Sequence, residues 1–144
     1  MASTTNEVII PVKFILIIIQ FVLLVIILFT KDEYVFVGLP KFTKLNGDEF
    51  AKAVEEFLSL TWLTILLLFF EILTLSSGIS VMVEKMNVFQ VLFHFVGVWH
   101  LILMILDRYS YTQMRSICFF YAFLPFCMEL AASASALSKI RIIN

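Results

Sequence analysis

Four long apolar stretches, separated by short polar segments, dominate the pattern of the sequence. They cover residues 14–30, 57–83, 88–106 and 116–137. Because an α-helix rises about 1.5 Å per residue, a stretch of roughly 20 residues crosses a hydrocarbon core of about 30 Å. The pattern predicts an all-α membrane protein in one domain, residues 1–144, whose four transmembrane helices pack as an antiparallel bundle.

The polar segments predict the connections between these helices. Residues 1–13 are expected to precede the first helix as a short polar lead, and residues 31–56 form the one long loop. Within that loop, Tyr34–Val37 is apolar and β-branched enough for a short strand or an interfacial segment. Residues 84–87 are expected to form a tight turn, so that the second and third helices make a hairpin. Four spans would place both ends of the chain on one face of the membrane.

The second helix is expected to begin before its apolar stretch, as one or two amphipathic turns at the membrane surface. Apolar side chains share one face of these turns, and charged side chains occupy the other faces. The apolar face consists of Phe50, Ala53, Val54 and Phe57. Asn46, with Glu49 three residues later, resembles the pair of residues that caps a helix N-terminus.

Composition and charge narrow the class of protein. The chain is 62% hydrophobic and 15% charged with a mean hydropathy of +1.04, whereas soluble proteins carry about 25% charged residues. This composition excludes an ordinary soluble protein, and the net charge of −1 argues against binding to nucleic acid. Basic residues flank the helices on both faces of the membrane, and Lys13 is expected on the face that carries the termini. The positive-inside rule therefore does not decide the orientation of the chain in the membrane.

Four ionisable side chains lie inside the predicted helices and are the candidate functional residues: Glu71, His94, His100 and Glu129. An ionised carboxylate near the bilayer centre costs about 2.5 kcal/mol or more, so each glutamate is expected to be neutralised or paired. Counting outward from the turns, with equal rise per residue, places Glu71 level with His100 and His94 level with Glu129. The sequence therefore predicts two Glu–His pairs, with the third helix in the centre of the bundle.

Such pairs have two interpretations. They are either hydrogen-bonded contacts that hold helices together, or a proton relay and acid–base site. The sequence favours the first, because it contains no Ser–His–Asp set, HExxH zinc pattern or glycine-rich phosphate loop. Two separate pairs also argue against one shared zinc ion, so no metal and no other cofactor is expected.

The alternative function for the whole protein is that of a small intramembrane lipid-binding protein or an enzyme like the sterol isomerases. It requires a cavity of about 300 Å³ that reaches Glu71 or Glu129.

Small and hydroxyl side chains accompany both glutamates at helical spacing. Such residues let neighbouring helices approach closely in a membrane. The predicted helix-packing residues are Thr74, Ser77, Gly78, Ser133 and Ala136. Pro125 precedes Glu129 by one turn and is expected to free a backbone carbonyl in the fourth helix.

Several short motifs occur in an order that resembles a known family. The matching positions run from the end of the first helix into the fourth: Phe29, Thr30, Lys31, Asp32, Leu39, Pro40, Glu71, Ser77, Gly78, Ser80, His94, Asp107, Arg108, Tyr109, Leu124, Pro125 and Glu129. In this order and spacing they resemble the transmembrane protein 107 family, four-span proteins of the ciliary transition zone. The sequence differs from the family at Asp107, where the family has glutamate, at His100, which has no counterpart, and in the loop 41–56.

The resemblance implies a function that the residues by themselves do not give. It implies a non-enzymatic scaffold at the base of the cilium that helps to select which membrane proteins enter. The implied partners are other transition-zone membrane proteins, including the tectonic and Meckel-syndrome proteins, and the implied topology has both termini in the cytoplasm. It also supports Glu71, His94 and Glu129 as a shared polar core, and leaves His100 outside it.

Overall fold

The computed structural model describes residues 4–40, 47–78 and 84–143, and within those ranges the chain is helical with no β-strand. Four helical segments are long and apolar enough to cross a membrane. They are Glu7–Phe29, Gly47–Ser76, Glu84–Asp107 and Gln113–Lys139. The predicted fold class, an all-α protein with four membrane-spanning helices, is confirmed.

The helices are numbered here in chain order. They are α1 (Thr4–Phe29), α2 (Lys31–Gly38), α3 (Gly47–Ser76), α4 (Glu84–Asp107), α5 (Gln113–Cys118) and α6 (Leu124–Ile143). Helices α5 and α6 are joined by a π-helical turn, Phe119–Phe123, and together form the fourth span.

Helix α1 begins much earlier than predicted. It includes most of the segment that was expected to be a polar lead, and Pro11 lies inside it. A polar lead requires Lys13 to face water, whereas its side chain is completely buried in the bundle. Once that charge is satisfied by other helices, the polar lead can continue as helix into the apolar stretch.

The segment after α1 is a short helix rather than a strand. Asp32 and Glu33 lie in the first turn of α2, where acidic side chains stabilise the positive end of the helix dipole. Tyr34 and Val35 of this helix are buried. Helix α3 begins at Gly47, before its apolar stretch, which confirms the early start predicted for the second helix.

The amphipathic start of α3 has the predicted buried face. Ala53 and Phe57 are buried, and Phe50 and Val54 are half-buried. Residues 41–46, with the cap predicted at Asn46, lie outside the described residues.

The predicted turn between the second and third spans is wrong in position. Residues 84–87 form the first turn of α4. The carboxylate of Glu84 in this turn stabilises the positive end of the helix dipole. Helix α3 already ends at Ser76, and Gly78 adopts a left-handed φ of 73° that favours glycine. The intervening residues 79–83 lie outside the described part of the chain.

The core lies where α1 and the fourth span pack against α3 and α4. Helix α1 packs chiefly on α4 and then on α3, while α2 packs on α3. Buried apolar side chains from all of these elements form one core, which includes Ile17, Leu24, Ile27, Val35, Phe57, Leu68, Leu101, Met104, Met114 and Ile117. Many large apolar side chains on the outer faces are exposed, as expected for helices that face lipid.

Candidate functional site

A group of six polar side chains lies inside the bundle, and we call it the polar cluster. Each of them is fully buried, with 0% of its surface exposed. The cluster consists of Lys13, Gln20, Glu71, Gln90, His94 and Glu129. Helices α1, α3, α4 and α6 all contribute, so the cluster connects all four spans.

Lys13 is the centre of the charged half of the cluster. Its Nζ donates hydrogen bonds to Glu129 Oε2 at 2.6 Å and to Gln90 Oε1 at 2.7 Å. The same Nζ lies 3.7 Å from Glu71 Oε1. One side chain of α1 thus contacts α3, α4 and α6. Desolvating a charge is costly, and these close, mostly hydrogen-bonded partners offset that cost.

His94 is the centre of the other half of the polar cluster. Its Nε2 lies 2.8 Å from Glu71 Oε1, and its Nδ1 lies 2.8 Å from Gln20 Oε1. Both ring nitrogens therefore have hydrogen-bond partners, on α3 and on α1. The imidazole fixes these helices relative to α4.

The predicted Glu–His pairs are wrong. His94 pairs with Glu71 instead of Glu129, and His100 lies half-buried with its Nδ1 3.5 Å from the hydroxyl of Tyr121. The error came from the position of the turn. With α3 ending at Ser76 and α4 beginning at Glu84, His94 is much closer than His100 to the level of Glu71.

Three members of the polar cluster are not among the residues predicted from the sequence: Lys13, Gln20 and Gln90. A signal was present, because Lys13 and Gln20 lie seven residues apart and so share one helix face with the core residues between and beyond them. The buried positions of α1 follow this spacing of four and three residues: Lys13, Ile17, Gln20, Leu24 and Ile27. Extending the apolar stripe backwards by one turn would have placed the lysine inside.

Pro125 shapes the fourth span next to the cluster. Having no N–H, it cannot donate to the carbonyl of Tyr121, four residues earlier. Gln20 Nε2 donates to that carbonyl at 3.3 Å. Gln90 Nε2 donates to the carbonyl of Pro125 at 3.1 Å and to Glu129 Oε2 at 2.9 Å. Two glutamine side chains thus satisfy the backbone around the proline.

Comparison with known proteins identifies the family. The family model TMEM107, described as a transmembrane protein, matches residues 9–133. The chain belongs to the TMEM107 family. The matched range includes all six residues of the polar cluster. Comparisons with curated proteins and with solved structures found no match.

Most helix-packing residues predicted in this TMEM107-family chain have local roles. The hydroxyl of Thr74 donates to carbonyls of its own helix, and that of Ser77 donates to the carbonyl of Thr74. Gly78 is exposed in a turn, and a Cβ at this position would meet no atom of the described residues within 4 Å, so these residues show no close helix approach there. Ala136 is buried and Ser133 half-buried, both on α6.

The glycine at which helices approach closely is Gly97 on α4. A Cβ at this position would lie 2.8 Å from Tyr121 Cβ and 2.9 Å from Gln20 Nε2. These distances are too short for a real Cβ atom. Gly97 therefore permits the close approach of α1, α4 and the π-helical turn beside the polar cluster.

The motif residues between the helices lie on the surface. Asp32 is exposed in the first turn of α2, Pro40 is exposed after that helix, and Asp107 is the exposed last residue of α4. Arg108 has a left-handed φ of 49° and forms an exposed ion pair with Glu33 across 3.4 Å. These residues lie at or between the ends of helices and are not members of the polar cluster.

Four surface grooves, of about 700, 500, 390 and 230 Å³, were found among the described residues. They open on outer faces of the helices, and no member of the polar cluster lines any of these four. The lipid-binding alternative requires a cavity that reaches Glu71 or Glu129, and none of the four does so. No group of three or more histidine, cysteine or carboxylate side chains in the described ranges is arranged to hold a metal ion.

Proposed function

We propose that this TMEM107-family chain is a structural component of the ciliary transition zone, where it helps to control which membrane proteins enter the cilium. The observation that carries the proposal is the family match over residues 9–133. The family is not a known enzyme family. The chain acts through contacts with other proteins.

The interior of the bundle supports a scaffold role over an enzymatic one. The side chains of the polar cluster are hydrogen-bonded to one another and fully buried. Lys13 and His94 each contact several helices, so their role is to fix the arrangement of the spans. A rigid bundle presents constant outer surfaces to its partners.

The proposed partners are other transition-zone membrane proteins, including the tectonic and Meckel-syndrome proteins. Contacts within the bilayer would involve the exposed aromatic faces, where Trp62 and Trp99 are more than half exposed. Contacts outside it would involve the surface around Asp32, Pro40 and Arg108. We propose that both termini face the cytoplasm.

The proposal is tested by locating the tagged full-length chain in ciliated cells against markers of the basal body and axoneme. A ring between the two markers, together with transition-zone membrane proteins in mild-detergent purifications, is the expected result. A reticular endoplasmic pattern with a bound sterol or other lipid would overturn the scaffold role and favour the lipid enzyme.

A variant of Glu71 tests whether the polar cluster is needed for this role. Glu71→Leu removes the carboxylate that contacts His94 and leaves an apolar side chain of similar size. We expect fewer partner proteins to co-purify with this variant and a weaker ring at the ciliary base. Glu55→Leu is the matched control, because it makes the same substitution at an exposed position of the same helix. Equal recovery of partners with both variants would contradict a role for the cluster in assembly.

A further inference from the structure

The hydrogen bonds around Gln20 fix one proton on His94. The amide nitrogen of Gln20 donates to the carbonyl of Tyr121, which can only accept, so the amide oxygen is the atom that faces His94. An amide oxygen can only accept as well. His94 Nδ1 must therefore carry a hydrogen and donate it to Gln20.

The second ring nitrogen of His94 then requires a further proton. His94 Nε2 and Glu71 Oε1 lie 2.8 Å apart, which is a hydrogen-bond distance. If His94 Nε2 and Glu71 both lacked a proton, the nitrogen lone pair would face a carboxylate oxygen in a fully buried site. One proton between the two atoms removes that repulsion, whether it is bonded to nitrogen or to oxygen. In either case the Glu71–His94 pair has no net charge.

The other charges that face this pair balance each other. From α1, Lys13 Nζ lies 3.7 Å from Glu71 Oε1, and from α6, Glu129 pairs with that lysine at 2.6 Å. From α4, Gln90 faces the same atoms and is uncharged. The ammonium and the Glu129 carboxylate cancel. The shared proton therefore decides whether the cluster is neutral or carries one negative charge.

A metal cation is a poor substitute for this proton. The ammonium of Lys13 lies close to Glu71 Oε1 and repels a second cation. The other oxygen, Glu71 Oε2, is buried and has no hydrogen-bond partner among the described residues. Leaving that oxygen as part of an uncompensated carboxylate would be costly in a membrane interior.

We propose that Glu71 and His94 form a buried proton-binding site, whose one exchangeable proton keeps the polar cluster neutral and holds α1 and α3 against α4. The inference does not depend on the ciliary role. When the proton leaves, one negative charge remains in the bundle and the hydrogen bond to His94 Nε2 is lost.

The test uses the full chain in detergent micelles with ¹⁵N-labelled histidine. The chain has two histidines, and a His100→Gln variant assigns the signals of His94. At neutral pH, the ¹⁵N shifts should show a protonated Nδ1 and an Nε2 in a shared hydrogen bond. A wild-type spectrum with a bare Nδ1, or with an Nε2 that shares no hydrogen bond, would overturn the proposal.

Two variants identify the source of the proton. Glu71→Gln can still form a hydrogen bond to His94 but supplies no shared proton, so the ¹⁵N shift of Nε2 should move to that of an unprotonated nitrogen. Glu55→Gln makes the same change at an exposed position of α3 and should retain the wild-type shift. An unchanged Nε2 shift in Glu71→Gln would overturn the assignment. If that variant does not fold, the wild-type ¹⁵N shifts of His94 still decide the proposal.

Discussion

At the residue scale, the structure depends most on a lysine inside the membrane bundle. Lys13 is fully buried, and its ammonium reaches acceptors on three other helices. Removing one partner of a buried ion pair leaves the other charge without compensation, which costs more than the intact pair contributes. The lysine and Glu129 must therefore be understood together.

The first prediction concerns Lys13→Met, which keeps a long unbranched side chain and removes its charge. Because Glu129 and Gln90 lose their shared donor, the free energy of unfolding should fall by about 3 kcal/mol. Reversible unfolding in mixed detergent micelles measures it. Lys52→Met, at an exposed position of α3, is the control and should change stability by less than about 0.5 kcal/mol. Equal stability of the two variants would show that Lys13 is not required.

A second prediction concerns Gly97→Ala. The added methyl group would overlap Gln20 Nε2 and Tyr121 Cβ, so the helices must separate, and the expected loss of stability is about 1–3 kcal/mol. Gly47→Ala is the matched control, since no atom in the described part of the chain lies within 4 Å of a Cβ there. The same unfolding measurement compares them. A neutral Gly97→Ala would mean that α1 can move away from α4 without penalty.

At the element scale, the fourth span contains an irregular turn before Pro125 that is hydrogen-bonded by a side chain of another helix. Pro125 leaves the carbonyl of Tyr121 without its α-helical donor, and the preceding residues form a π-helical turn. A side chain from α1, Gln20, donates to that carbonyl. The irregular turn is tolerated in the membrane because its freed backbone groups face other helices and not lipid.

The third prediction is a coupling between Gln20 and Pro125. Pro125→Ala restores an N–H that can donate to Tyr121, so Gln20→Leu should cost less in that background than in the wild type. A double-mutant cycle should give a coupling energy of about 1 kcal/mol. Leu137→Ala, at an exposed position of α6, is the control and should be additive with Gln20→Leu. Additivity in both cycles would contradict the role assigned to the proline.

At the scale of the whole molecule, the polar cluster and the apolar core together hold four spans in one bundle. The cluster unites α1, α3, α4 and α6, and apolar side chains pack around it. Ion pairs at the surface join Arg108 with Glu33 of α2, and Arg115 of α5 with Glu56 of α3. Such surface pairs contribute about 0–1 kcal/mol each, so the bundle does not depend on them.

The fourth prediction is the topology of the chain. With four spans, tags at the two ends should become accessible in the same compartment, and a tag inserted at the exposed Gly47 should become accessible from the other. Selective permeabilisation of the plasma membrane measures this accessibility with antibodies. Ends in opposite compartments would contradict a four-span bundle. Accessibility of both ends from the cytoplasm would support the proposed orientation.

The sequence by itself determined the class of fold and the identity of several buried polar residues. Apolar stretches of membrane length predict helices because backbone groups in lipid must be satisfied within the helix. The same stretches identified Glu71, His94 and Glu129 as residues that need partners, and all three are fully buried. These results follow from local physical constraints, which a single sequence carries.

Only the tertiary structure decided which residues pair with which. The level of each side chain depends on where helices begin and end, and the start of α4 at Glu84 places His94 opposite Glu71. It also decided that Lys13 belongs to the interior, because a charge at the edge of an apolar stretch can face water or protein with the same sequence. Partner choice is a property of several helices at once, and no single stretch of sequence contains it.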